Sequence, residues 1–308
     1  MTIAVVGAGA LGLYYGALLQ RAGSNVRFLL RRDYEAIAAH GLQVYSTGGD
    51  FHLPTVSGAR TPEEIGPVDL VLVGLKTFAN DRFAELITPL LHGTTVILTL
   101  QNGLGNEEAL AELFGADRVM GGVAYLCANR GEPGCVRHLG KGRVLLGEYG
   151  SSDTTRPERI AELFRAAGID CRAVNDLSRA RWEKLVWNIP FNGLSALTRC
   201  PVDRLLATEE GRTLVREIML EVIAAANAQQ LSRPIPDTYA DDMLRFSASM
   251  GPYRPSMLID REEGRPLELA SIFDRPIERG RQRGVPMPRT AMLATCLHLM
   301  TGQAPQDA

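Results

Sequence analysis

Lys184, Asn188 and Asn192 recur every fourth residue within the stretch 182–197, WEKLVWNIPFNGLSAL. In an α-helix a step of four drifts by only about 40°, so the three side chains lie along one stripe. A lysine beside two amides can hold a polar organic anion and give a proton to a carbonyl oxygen. Trp182, Leu185, Val186 and Ile189 supply an adjoining apolar face able to dock the helix. Pro190 lacks a backbone donor, so a kink or an early break is expected there. Taken alone, the segment reads more simply as a partly exposed helix with a solvated lysine and two surface amides.

What must position such a stripe is found at the other end of the chain. Residues 2–6 form a short β-branched run that stops at Gly7-Ala8-Gly9-Ala10-Leu11-Gly12, followed by an apolar helix pattern closing at Gly23 and by a second strand over 25–30. Strand, G-x-G-x-x-G, helix and strand within about 30 residues is the context that a dinucleotide fingerprint requires. Gly7 permits the tight turn, Gly9 lets a pyrophosphate approach the backbone, and Gly12 lets helix and sheet pack closely. Ala10 and Leu11 open the helix, whose unpaired N–H groups favour phosphate.

The end of the second strand selects between dinucleotides: an acid there accepts from a ribose 2′-OH, whereas arginine pairs with a 2′-phosphate. Arg31 stands 19 residues after Gly12, at the expected place. Asp33 comes two residues late and is expected to cap a helix beginning at Tyr34. The cofactor expected is therefore NADP(H). The apolar runs 68–75 and 94–100 read as strands buried on both faces, with a helix over 78–91 between them. Lys76 and Asn102 stand at their C-terminal ends, the edge where open α/β sheets bind ligands.

From residue 118 onward short segments (118–127, 135–139, 143–148) separated by Gly131-Glu132-Pro133-Gly134 and Gly140-Lys141-Gly142 predict an antiparallel extension of the sheet. A helix over 156–167 and a last strand over 169–174 close this half. Beyond Asp176 strand signals almost vanish, and Val215, Ile218, Met219, Val222, Ile223 and Ala226 mark one face of a long helix. The fold class expected is an α/β Rossmann-type N-terminal domain (1–176, NADP-binding) followed by an all-α C-terminal domain (177–308, substrate-binding and catalytic).

Composition narrows the function classes. The formal charge of −2 over 308 residues offers no electrostatic argument for nucleic acid or an anionic membrane. No run reaches the ~18–20 apolar residues of a membrane span, and the N-terminus does not resemble a secretory signal. Five scattered cysteines without a C-x-x-C pair fit a reduced, cytoplasmic compartment. The five histidines lack metal-ligand spacing, so no metal is expected.

Taken in order, GAGALG (7–12), LVGLKT (72–77), LQNGLGN (100–106), WEKLVWNIPFNGLSAL (182–197) and PSMLIDREEGRPLEL (255–269) give the chain a resemblance, over nearly its full length, to the ketopantoate reductase (2-dehydropantoate 2-reductase) family. The resemblance implies NADPH-dependent reduction of 2-dehydropantoate to pantoate. It makes Lys184 the proton donor, Asn188, Asn192 and Ser256 the substrate-binding residues, and Glu268 the group that completes the site. Arg31, Lys76 and Asn102 would serve the cofactor and the neighbouring substrate region. Two departures put substrate identity in doubt: Leu267 stands where threonine is usual, and Phe273-Asp274-Arg275-Pro276 stands where an Asn-Gly turn is usual. The alternatives are reduction of a different 2-keto acid and a non-enzymatic NADP(H)-binding sensor. The partner expected is a small 2-keto acid. Oligomeric state is open, a homodimer being one option.

Overall fold

The computed structural model describes residues 1–304, so the last four residues assigned above to the helical domain lie outside the described range. The chain divides into two compact units, one made of Met1–Gln101 with Asn106–Leu177, the other of Asn102–Gly105 with the residues from Ser178 onward.

In the first unit the order is β1 (Thr2–Val6), α1 (Ala10–Arg21), β2 (Asn25–Leu29), α2 (Tyr34–His40), β3 (Leu42–Ser46), β4 (Phe51–Leu53), β5 (Ser57–Ala59), α3 (Pro62–Ile65), β6 (Leu70–Val73), α4 (Phe83–Ile87), β7 (Val96–Thr99), α5 (Asn106–Phe114), β8 (Val119–Arg130), β9 (Cys135–Glu148), α6 (Thr155–Ala166) and β10 (Cys171–Ala173). The strands form one mixed sheet in the order β4-β3-β9-β8-β7-β6-β1-β2-β5, with β10 added beside β9. From β8 through β5 every neighbouring pair is parallel. Of these, β1, β6 and β7 are buried almost throughout, which is why they read as unbroken apolar runs. Ile3, Val5, Leu70 and Leu72 enter one core cluster and Ala4, Val6, Val71 and Val73 another, as the period of two demands.

The antiparallel extension is the β8–β9 pair, but β9 is one continuous strand rather than two. Gly140, Lys141 and Gly142 all carry positive φ, and the register slips opposite them, so the Gly-Lys-Gly triplet makes bulges instead of a turn. β3 adds to β9 in parallel and β4 to β3 antiparallel, an extension that the expected strands did not include. The helix expected over 78–91 is broken into a 3-10 turn (Thr77–Arg82), α4 and a second 3-10 turn (Thr88–Leu90). Ala79 departs from helical geometry and Pro89 interrupts the end.

The second unit is helical: α7 (Leu177–Thr198), α8 (Val202–Leu205), α9 (Glu209–Asn227), α10 (Thr238–Ala248), α11 (Ser256–Glu262), a π-helical turn (Ala270–Asp274), α12 (Arg275–Gln282) and α13 (Pro288–Thr301). α7 runs through Pro190 without the expected break. The proline costs roughly 3 kcal/mol, whereas Val186, Ile189, Phe191 and Leu194 on either side are buried in one core, each worth about 1.5–3 kcal/mol. Packing outweighs the missing hydrogen bond. The segment around Asp274-Arg275-Pro276, expected as an altered turn, is helical throughout: the π-turn feeds directly into α12, whose second residue is Pro276. No helix among the described residues is long and apolar enough to cross a membrane.

Candidate active site

In the first unit the glycine loop joins β1 to α1. Gly7 has φ +99°, and a Cβ there would lie 2.3 Å from the Leu75 amide nitrogen, while a Cβ on Gly12 would lie 2.3 Å from the Gly7 carbonyl oxygen. Both glycines are therefore demanded by the protein's own packing. Gly9 is different: its φ is −81°, and a Cβ would meet nothing within 4 Å. The fold does not require glycine at that place, but a ligand lying against the backbone would. The first turn of α1 contains no acidic side chain, so the amides of Ala10 and Leu11 keep an uncompensated positive helix end. These features fit the diphosphate of a dinucleotide.

At the end of β2 the two candidate selectors part company. Arg31 is exposed, and among the described residues no side chain forms an ion pair with its guanidinium. Asp33 is buried and does not cap α2 through its side chain, contrary to expectation. Its carboxylate instead pairs with Arg130 and accepts from the Gly134 N–H at 3.1 Å, tying the β8–β9 hairpin tip to the start of α2. The acid near the selector position is thus already engaged, and the free arginine remains.

Lys76 is half-buried two residues beyond Gly74, whose amide donates to the Val6 carbonyl beside the glycine loop. At the ends of β6 and β7 a chain of polar side chains passes from Thr99 to Gln101 (2.9 Å), from Gln101 to Asn80 (2.8 Å) and from Asn80 to Asn106 (2.9 Å). Asn80, Gln101 and Asn106 were not singled out by the spacing argument. Two of the three lie within the LQNGLGN block, and Asn80 only becomes visible once the 3-10 turn folds it back over the strand ends.

In the second unit the Lys184 ammonium donates to Asn102 Oδ1 at 2.5 Å, so two expected site residues 82 positions apart meet. The Asn102–Gly105 segment is held there by the Leu104 N–H, which donates to the Ser271 carbonyl of the π-turn at 2.9 Å. Along α7, Asn188 is 5% and Asn192 3% exposed. Asn192 Oδ1 accepts from both Ser256 Oγ (3.3 Å) and the Met257 N–H (3.2 Å), capping α11 and leaving its NH2 group as the donor for other use. Asn188 lies one helical turn before Asn192 on the same stripe of α7. Glu268 is 3% exposed and immediately precedes the helical run that leads into the π-turn.

Residues 3–151 match the family described as ketopantoate reductase PanE/ApbA, and residues 176–301 match its C-terminal part. The chain belongs to the ketopantoate reductase family. A 2-dehydropantoate 2-reductase of Nostoc sp. is 42% identical over 305 residues, covering 97% of this chain and 95% of the relative. The crystal structure of 2-dehydropantoate 2-reductase from Geobacter metallireducens is 66% identical, with a TM-score of 0.97 and coverage of 98% of this chain and 100% of the other. The structure of the Methylococcus capsulatus 2-dehydropantoate 2-reductase is 32% identical with a TM-score of 0.89, covering 100% and 99%. Family membership thus spans both units, including the Lys184–Asn102 pair and the glycine loop.

Proposed function

We propose that this ketopantoate reductase family member reduces the ketone of 2-dehydropantoate to the alcohol of pantoate with NADPH. The observation that carries the reading is the family match, whose relatives in Nostoc and Geobacter metallireducens are described as 2-dehydropantoate 2-reductases. The side chains supply the chemistry this needs. Arg31, exposed just after β2, is suited to a 2′-phosphate, and the open face at Gly9 is suited to the diphosphate. When bound, the reduced nicotinamide supplies a hydride to the ketone carbon. The carbonyl oxygen then needs a proton, and Lys184 gives it in this scheme; its half-buried ammonium, hydrogen-bonded to Asn102, supports the role. Asn188, Asn192 and Ser256 hold carboxylate and hydroxyl groups without adding net charge. Glu268 accepts from the substrate hydroxyl.

A site built to hydrogen-bond a hydroxyl rejects an analogue lacking it, because buried polar groups are left unpaired. In a panel of 2-keto acids followed by NADPH oxidation, ketopantoate is expected to exceed 2-ketoisovalerate, its counterpart without the hydroxymethyl group, by at least about a hundredfold in kcat/KM. Glu268→Gln should narrow that gap. Comparable reduction of the two acids by the wild-type protein would shift the reading to a reductase of another 2-keto acid, and NADPH binding without turnover on any of them to a sensor.

A further inference from the structure

The end of the described chain reaches back to the residue before Glu268. Gln303 and the main chain of Leu267 close a two-hydrogen-bond ring: the Leu267 N–H donates to Gln303 Oε1 at 3.2 Å, and Gln303 Nε2 donates to the Leu267 carbonyl at 3.1 Å. Residues 265–268 belong to neither helix nor strand, so this peptide has no ladder or helical turn to satisfy it, although Leu267 and Glu268 are both buried. A side-chain amide does instead what a neighbouring strand would do.

Gln303 is itself held from three sides. Gly302 ends α13 in the left-handed conformation, and its N–H donates to the His298 carbonyl. The Gln303 N–H donates to Thr301 Oγ1 at 3.3 Å, and the Gln303 carbonyl oxygen lies 2.8 Å from His298 Nδ1. The other ring nitrogen, His298 Nε2, lies 2.9 Å from Asp274 Oδ1. The C-terminal end of α13 therefore braces both flanks of the segment 267–274: Leu267 through Gln303, and Asp274, the last residue of the π-turn, through His298. Between the two braces stands Ser271, whose carbonyl receives the Leu104 N–H of the Asn102 segment.

We propose that Gln303 is a positioning residue that sets the Glu268 carboxylate for reading the substrate hydroxyl. The inference rests on the role given to Glu268 under the proposed function. Gln303 touches neither substrate nor cofactor in this scheme; it fixes the peptide from which Glu268 projects. A misplacement of about 1 Å at a reacting group costs up to about two decades in rate, and a loosened peptide should cost a fraction of that.

The test compares wild type, Gln303→Met, which keeps the length and removes the amide, and Gln303→Glu, which keeps an acceptor and loses the donor. Each is assayed on ketopantoate and 2-ketoisovalerate, alone and with Glu268→Gln. Gln303→Met is expected to lower kcat/KM for ketopantoate by about tenfold with little change for 2-ketoisovalerate, so the selectivity ratio falls by that factor while the Kd for NADPH holds. Gln303→Glu should fall the same way by at least as large a factor, because a carboxylate oxygen would then face the Leu267 carbonyl that Nε2 now donates to. With Glu268→Gln already present, neither substitution should move the ratio further. Equal losses on both substrates, an unchanged ratio, or a full additional loss in the double variant would overturn the proposal while leaving the role of Glu268 standing. A wild-type ratio near one would instead overturn the role of Glu268 and this inference with it.

Discussion

At the scale of single residues, the two side chains on which the proposed chemistry rests were picked out for different reasons. Lys184 stood out by its spacing from two amides and Asn102 by its place at a strand end, but nothing in the sequence linked the two, because they lie 82 residues apart. If Lys184 supplies the proton, Lys184→Ala should lower kcat by about two to four decades, the usual scale of lost general-acid catalysis. NADPH affinity, measured by fluorescence titration, should change little. Near-normal turnover in a folded Lys184→Ala protein would remove it from the mechanism. Arg31 was placed by counting from Gly12, and the structure adds what counting could not: the competing acid, Asp33, is bound to Arg130 and Gly134. A charge-assisted pair with a phosphate contributes roughly 1.5–3 kcal/mol, or one to two decades in affinity. Titration of wild type and Arg31→Ala with NADPH and NADH should show that preference in the first and its loss in the second. Equal affinity for both cofactors in the wild type would end the assignment.

At the scale of elements, legibility followed the strength of the periodic signal. The buried strands β1, β6 and β7 and the apolar face of α9 were readable because each carries a pattern that only one structure satisfies. The failures share a cause in tertiary context. Pro190 reads as a break because the proline penalty is local, whereas the packing that outweighs it comes from helices distant in sequence. Gly140-Lys141-Gly142 reads as a turn because glycines usually punctuate strands, yet β8 runs alongside for long enough to carry β9 through two register slips. Phe273–Pro276 reads as an altered turn because the family usually has an Asn-Gly turn there, whereas in this chain the π-turn runs on into α12. Short β3, β4 and β5 carry too few residues to declare a period, and their pairing with β9 and β2 is set from far along the chain. The braces from Gln303 and His298 onto the Glu268 segment belong to the same class: a glutamine and a histidine near a chain end have no pattern to announce them.

At the scale of the whole molecule, the titrating groups define the pH range in which the fold is most stable. On the acid side, Asp69 is held below the ordinary carboxylate range chiefly by the Thr2 amide, Asp153 by the Thr155 amide, Glu85 by Arg82, Asp241 by Arg216 and Glu278 by Arg281. A carboxylate depressed in the folded state stabilises it above the unfolded value, near 4, and loses that contribution as pH falls through the folded value. All five groups are solvent-screened, so this loss is shallow. On the alkaline side the groups lie in the core. Burial pushes the Cys171 thiol up to about 12 and the Tyr15 phenol well above its ordinary range. A group raised on folding stabilises fully below its unfolded value, here near 9 for the thiol, and that contribution is lost as pH climbs towards the folded value. Cys171 and Tyr15 belong to one core cluster, and a charge on either disfavours a charge on the other, so the alkaline loss should be steeper than the acid one. Melting temperatures measured from pH 3 to 11 should therefore be level between about 5 and 8.5, fall gently below about 4 and fall steeply above about 9. Cys171→Ala should lower the plateau through the small cavity it leaves, and should reduce the alkaline slope because one of the core groups raised on folding is gone. An alkaline limb with unchanged slope in Cys171→Ala would show that the thiol does not govern it.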